Sequence, residues 1–329
     1  MRPVRFVALG DSLTEGVGDP VGGGWRGWAA LLAPGLAPAA ETPGTSGAAG
    51  TSGGAGTSGA PEAAEASPAS VRAVRAVGPT WAVEFTNLAV SGAQTRDVRE
   101  AQLPAALALR PDLASVVVGV NDTLRCTFDV HAVAARLDTV YGELTRQGAT
   151  LLTACLPDPG AMLGLPGVLA RPLARRQRAV NAVVHALSDR YGAVHLHAAE
   201  GAWLADRAMW SVDRLHPGEA GHRQLAVRFH ALLAGTGRAT GPAPSPDPES
   251  PMPSISAGLW WLATAGTGWV ARRCTDLLPQ LLALAADELR HRARGTSARL
   301  DLRATAAVSA ALAALSVAER VAERRPGAA

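Results

Sequence analysis

The chain has 329 residues, with 31 basic and 28 acidic side chains and a net charge of +3. A balance this small does not require nucleic acid or an anionic membrane as partner, and the length admits one large or two smaller domains with ample core. The three cysteines, Cys126, Cys155 and Cys274, are odd in number and widely spaced, which argues against a disulfide framework or a zinc site and leaves free thiols in a reducing compartment as the default.

Residues 3–9 form an apolar run that ends in a Gly10-Asp11-Ser12 turn, the pattern of a buried strand. The N-terminus enters this strand without a charged, apolar, small-residue leader pattern, so a cytoplasmic location is expected. Ser12 sits where the chain turns from strand to helix. From this stretch alone it reads equally as a helix cap or as a hydroxyl held at the sheet edge where open α/β folds bind ligands. Trp25, Trp28, Ala29, Leu31 and Leu32 recur at helical spacing and predict a helix from Trp25 to Leu36. Residues 41–70 carry Gly-Thr-Ser-Gly near-repeats and cannot bury a core, so a disordered Gly/Ser/Thr/Ala-rich insertion is expected there.

Trp81 to Ala89 predicts the second strand, and Thr95 to Ala108 a helix. Leu113 to Gly119 is a dense β-branched run, hence a central strand. A helix from about Asp129 to Gln147 follows, then a strand from Ala149 to Leu156 that Pro157-Asp158-Pro159-Gly160 stops. A loop reaching Pro172, a helix from about Arg171 to Tyr191 and a short strand from Gly192 to His197 come next. Gly218 to Ala234 is helical, with Pro217 expected at its first position. Strand and helix alternate throughout, which predicts a three-layer α/β/α sandwich with a mostly parallel sheet of about five strands.

Residues 237–254 are rich in Pro, Gly and Ser and read as a linker, which closes a first domain at residues 1–236. Beyond it, residues 255–329 predict two helices separated at Gly295, with Leu277, Leu278, Leu281, Leu282, Leu284 and Leu289 marking one buried side and Leu312, Leu315 and Val321 the other. The uncharged stretch from Ile255 to Ala271, with Trp260, Trp261 and Trp269, is short for a membrane span. Burial against another helix or a partner is favoured over an interfacial membrane contact.

Four motifs fall at the C-terminal ends of strands or in loops that reach that edge. They are Gly10-Asp11-Ser12-Leu13, Asn87-Leu88-Ala89-Val90-Ser91-Gly92, Gly119-Val120-Asn121-Asp122 and Asp213-Arg214-Leu215-His216. Together they resemble the GDSL, or SGNH, hydrolase superfamily over roughly residues 1–235 apart from the insertion. That resemblance implies a flavodoxin-like SGNH fold and a serine esterase that works through an acyl-enzyme on lipid, acetyl or similar small acyl esters.

Acyl transfer assigns the roles. Ser12 attacks the carbonyl and needs a base to take its proton. His216 is the candidate base, and Asp213, three residues earlier, can orient the ring and stabilise the imidazolium. The resemblance implies an oxyanion hole built from the Ser12 backbone N–H, the Gly92 N–H and the Asn121 side-chain amide; the missing Cβ of Gly92 lets substrate approach its backbone. No metal or organic cofactor is expected, and the partner is a small-molecule ester.

The other polar residues read more simply. Asp11 and Asp122 are expected to hydrogen-bond their turns. His185, His195, His197, His222 and His230 read as surface or packing residues, because no third ligand at a convincing spacing joins His195 and His197. Arg171, Arg175, Arg176 and Arg178 read as a solvated helix face, with contact to an anionic substrate group as the sharper alternative. Two other functions compete with hydrolysis. The same machinery could serve an acyltransferase or an acyl-CoA thioesterase, or the helical tail could make the chain a scaffold with a vestigial site.

Overall fold

The computed structural model describes residues 2–36, 83–250 and 265–323. The expected insertion at 41–70, the start of the second strand at Trp81 and the stretch 255–264 lie outside the described residues, as do the side chains of Trp269, Leu277, Leu278 and Val321.

Chain order is β1 (Val4–Gly10), α1 (Ser12–Glu15), β2 (Pro20–Val21), β3 (Gly24–Trp25), α2 (Gly27–Leu32), β4 (Val83–Asn87) and α3 (Thr95–Asp97). A π-turn (Val98–Gln102) leads into α4 (Leu103–Leu109), β5 (Leu113–Val117), α5 (Val120–Thr123), α6 (Val130–Arg146) and β6 (Thr150–Cys155). Then come α7 (Pro159–Met162), α8 (Gly167–Arg190), β7 (Val194–His197), α9 (Glu219–Gly235), α10 (Ala265–Ala293) and α11 (Ser297–Glu323).

Five strands form one parallel sheet in the order β4-β1-β5-β6-β7, with β5 at the centre as its β-branched run predicts. Alternation along the strands divides the core between two faces. Val7, Leu9, Ala114, Val116 and Leu151 pack with α6 and α8 on one face. Phe6, Ala8, Val117, Leu152 and Leu196 pack with α2 and α9 on the other. Helix α6 shows why the sequence supports this: Val130, Val133, Ala134, Leu137, Val140, Tyr141 and Leu144 are all buried at three- and four-residue spacing. Asp129 caps it by accepting from the His131 N–H at 2.9 Å, a contact that contributes about 1 kcal/mol.

Three local expectations are corrected. The segment after β6 is not a loop up to Pro172: α7 starts at Pro159 and α8 starts at Gly167. Pro172 lies inside α8, where it and Leu173 are buried, so tertiary packing outweighs the missing N–H. Pro217 precedes α9 by two residues, and Gly218 is its N-cap. The helix predicted from Trp25 is α2 from Gly27, because Trp25 pairs with Pro20 in the β2–β3 hairpin.

The segment expected as a linker lies along α2 and α9 over its described part. Gly241 N–H donates to Gly35 O at 3.1 Å, Arg223 donates to Ser245 O at 3.1 Å, and Arg26 pairs with Glu249 at 2.8 Å. Gly295 breaks α10 from α11 with a φ of +64°. Helix α11 packs on α6 and α8, with Ala311 buried and Ala307, Val308, Leu312 and Leu315 against the core. Ser297–Val317 is long and apolar enough to cross a membrane by length and composition alone.

Candidate active site

The C-terminal end of β1 is fixed by unusual pairing. Gly10 N–H donates to Gln102 Oε1 at 2.8 Å, and Gln102 Nε2 donates back to Gly10 O at 2.9 Å. A Cβ on Gly10, at φ +151°, would meet Val117 O at 2.2 Å, so only glycine fits this close strand pairing. Asp11 then caps α1, its carboxylate accepting from Leu13 N–H at 3.1 Å. Ser12 therefore opens the helix, half-buried, and the cap in this turn is Asp11 rather than Ser12.

The Asp213–His216 segment is a loop closed by the Trp210–Pro217 bridge and by Ser211 N–H donating to His216 O at 2.9 Å. Arg214 takes the left-handed conformation, φ +58°, which turns the loop back on itself. Asp213 Oδ1 gathers three donors inside it: Ser211 Oγ at 2.6 Å, Leu215 N at 2.9 Å and His216 N at 3.0 Å. Asp213 Oδ2 faces His216 Nδ1 at 2.6 Å, and His216 Nε2 faces Ser12 Oγ at 2.7 Å. Three side chains spread over 204 positions thus form one hydrogen-bonded line. Burial opposes charge on Asp213, but the hydrogen bond and positive field of His216, its backbone N–H and the Ser211 hydroxyl hold the carboxyl well below the usual range. Gly18, at φ +104°, backs onto this loop: a Cβ there would meet Pro217 O at 2.0 Å.

The expected oxyanion donors border the same place. The turn carrying Gly92, φ +82°, is tied to β1 by Val90 N–H donating to Gly10 O at 3.2 Å. Asn121 Nδ2 donates to Ala93 O at 3.1 Å and, at the long distance of 3.3 Å, to Asp11 Oδ2. Asp122 anchors α3 by accepting from Thr95 N at 3.0 Å and Thr95 Oγ1 at 2.7 Å, the turn-holding role expected for it. Burial raises Asp11 to about 7, against the Leu13 N–H and the charge of His216, and raises Asp122 as well.

The remaining candidates separate. His222 packs in the core, accepting from Trp28 N at 3.2 Å and facing Val17 O at 3.0 Å, and burial pushes it down to about 4. His230 holds Gly241 O at 3.1 Å. Neither reading of the arginine cluster survives whole. Arg175 pairs with buried Glu288 at 3.2 Å and with Asp301 at 2.8 Å, and Arg176 donates to Thr123 O and Arg125 O, each at 2.8 Å. A cavity of about 220 Å³ lies beside Arg171, Arg175 and Arg178, but Glu288 and Asp301 share its wall. Arg175 docks the C-terminal helices, and Arg176 ties α8 to the turn after α5.

Sequence reasoning missed two groups. Gln102 gave no signal, because its role depends on the π-turn that aims it at Gly10. His185, His195 and His197 are joined by Cys155, with one potential ligand atom from each within 4.8 Å of the others. Helix α8 and strand β6 supply the partners that linear spacing concealed.

A family model for GDSL-like lipase/acylhydrolases matches residues 51–224, more than half of the chain. The matched span takes in Gly92, Asn121, Asp213 and His216 and starts after Ser12. No curated protein matches the chain. Solved structures are similar to it, among them the following three. Axe2, an acetylxylan esterase from Geobacillus stearothermophilus, is 18% identical with a TM-score of 0.44, over 70% of this chain and 94% of its own. A lipase/acylhydrolase from Enterococcus faecalis is 16% identical with a TM-score of 0.47, over 72% and 97%. TesA is 18% identical with a TM-score of 0.46, over 70% and 98%. The chain belongs to the GDSL-like lipase/acylhydrolase family and is a carboxylic ester hydrolase.

Proposed function

We propose that the chain hydrolyses lipid, acetyl or similar small acyl esters through an acyl-enzyme on Ser12. The observation that carries this reading is the line Ser12 Oγ, His216 Nε2, His216 Nδ1, Asp213 Oδ2, with contacts of 2.7 and 2.6 Å at its two joints. His216 takes the Ser12 proton as Oγ bonds to the ester carbonyl carbon. The oxygen becomes an oxyanion held by Ser12 N–H, Gly92 N–H and the Asn121 amide, which releases its long contact to Asp11 to turn toward it. His216 then protonates the departing alkoxide, and the alcohol leaves an acyl-serine. Water attacks the acyl carbon and gives a proton to His216. Collapse of the second intermediate breaks the bond to Oγ, returns that proton to Ser12 and frees the acid. Asp213 holds the ring and offsets the imidazolium charge in both halves. Preorganised donors at the oxyanion are worth a factor of about 100 to 1000 each in turnover.

The test is hydrolysis of p-nitrophenyl acetate and butyrate, with a fluorophosphonate probe for the serine. The full chain cleaves the esters and labels at Ser12. Ser12→Ala and His216→Ala abolish turnover while the circular dichroism spectrum is unchanged. Turnover surviving in either variant overturns the assignment.

A further inference from the structure

Strands β6 and β7 run in register, with Thr153 opposite His195 and Cys155 opposite His197. Side chains two apart on a strand share a face, so these four make a two-by-two patch on one side of the sheet. Their neighbours Leu152, Ala154 and Leu196 point to the opposite side, into the core with α2 and α9. Helix α8 covers the patch and brings His185 and Ser188, three residues apart and so on one helix face. The three imidazoles meet edge to face, with centroids 4.7, 5.2 and 4.9 Å apart.

We propose that Cys155, His185, His195 and His197 form a closed tetrahedral site for a zinc-class metal ion, separate from the Ser12 line. The distinguishing observation is a chain of hydrogen bonds behind His195. Ser188 Oγ donates to Val184 O at 2.6 Å, so its only proton is committed. The 2.7 Å contact between Thr153 Oγ1 and Ser188 Oγ must then be donated by Thr153. Thr153 can therefore only accept from His195, whose Nδ1 lies 2.9 Å away. His195 carries its proton on Nδ1, and its Nε2 presents a bare lone pair. That nitrogen is buried with no hydrogen-bond partner, and so is Nε2 of His185. Metal-binding histidines are fixed in this manner, with the second ring N–H tied to a neighbour.

The donor types decide the metal. Three imidazoles and one thiol suit zinc, cobalt or copper and not magnesium or calcium, which take oxygen. Zinc bonds of about 2.0–2.3 Å space tetrahedral ligands roughly 3.5 Å apart. The four donor atoms, within 4.8 Å of one another, reach that spacing by side-chain rotation. Cys155 is buried, and a bound ion removes its proton. His197, 57% exposed, is the entry side. The ion would staple β7, the edge strand, to β6 and α8.

The experiment strips the full-length chain with chelator under reducing conditions and titrates Co²⁺. The wild type saturates at one equivalent, with the strong visible bands of four-coordinate cobalt and a sulfur-to-cobalt band in the near ultraviolet. Zinc bleaches both. Cys155→Ser removes the sulfur band, which also excludes the exposed Cys126 as its source. His197→Ala, a surface change that leaves the core packed, weakens cobalt binding at least about tenfold, and Thr153→Val weakens it by about 10- to 100-fold. Zinc at roughly 100 times the wild-type Kd raises Tm by about 5–10 °C in the wild type and by about half as much or less in His197→Ala. Absence of the sulfur band in the wild type overturns the site. So does equal cobalt binding by the wild type and His197→Ala.

Discussion

Replacing Asp213 by Asn separates the two jobs of this carboxylate. Its Oδ1 accepts from Ser211 Oγ, Leu215 N and His216 N, and an amide oxygen accepts all three equally well. Its Oδ2 accepts from His216 Nδ1 at 2.6 Å, and there an amide presents N–H against N–H. The imidazole escapes by moving its proton to Nε2, so that Nδ1 accepts from the new amide. Nε2–H then points at Ser12 Oγ, 2.7 Å away, and no base remains for the serine proton. The wrong tautomer costs about 10⁴-fold in kcat, or about 5.5 kcal/mol of transition-state stabilisation. The assay is steady-state hydrolysis of p-nitrophenyl acetate, with Tm measured on the same samples. Stability follows a separate course. The folded Asp213 pKa lies below its ordinary 3.8, so its contribution is full above about pH 4 and is lost as acid protonates the folded state. The Tm gap between wild type and Asp213→Asn therefore closes below about pH 4. Asp213→Ala, which also removes the loop acceptors, lowers Tm further. An Asp213→Asn enzyme within about tenfold of wild type would refute the tautomer argument.

Gly18→Ala places a methyl 2.0 Å from Pro217 O, so the His216 loop must move; kcat falls by at least about tenfold with the circular dichroism spectrum retained, measured on p-nitrophenyl butyrate. Asp11, raised to about 7 by burial, binds more protons folded than unfolded, so it lowers stability as pH rises from about 4 to about 7. Asp11→Asn flattens that part of the Tm–pH curve, and an unchanged slope counts against it. Arg175→Ala leaves the buried Glu288 carboxylate without its ion-pair partner, a change that costs about 3–5 kcal/mol locally. Hydrogen exchange in α10 and α11 then rises above that in β5.

The sheet and the meeting of Ser12 with a distant loop were legible in the chain for one reason. Buried parallel strands demand apolar runs, and the residues that end those runs lie together at one edge. The runs 3–9, 113–119 and 149–156 became β1, β5 and β6, which carried Ser12 and the Asn121 turn to a common rim. Asp213 and His216 were singled out by the motif resemblance, and their spacing of three residues within one loop made their pairing local. Boundaries were less legible where packing competes with propensity. The loop expected to reach Pro172 gives way to α8 at Gly167, and Pro172 lies inside that helix, because burial of Pro172 and Leu173 outweighs one absent hydrogen bond.

Composition and spacing determined that this chain would fold as a parallel α/β sandwich and bring a serine to the rim. Only the tertiary structure decided what meets across elements. Gln102 reaches Gly10 because a π-turn rotates it inward, and Arg175 faces Glu288 because α10 lies on α8. Cys155 stands beside His195 and His197 because two strands pair in one register rather than another, and a shift of one residue would send the thiol to the opposite face. Local patterns record what a segment buries, whereas register and helix placement are set by the packing of the whole core.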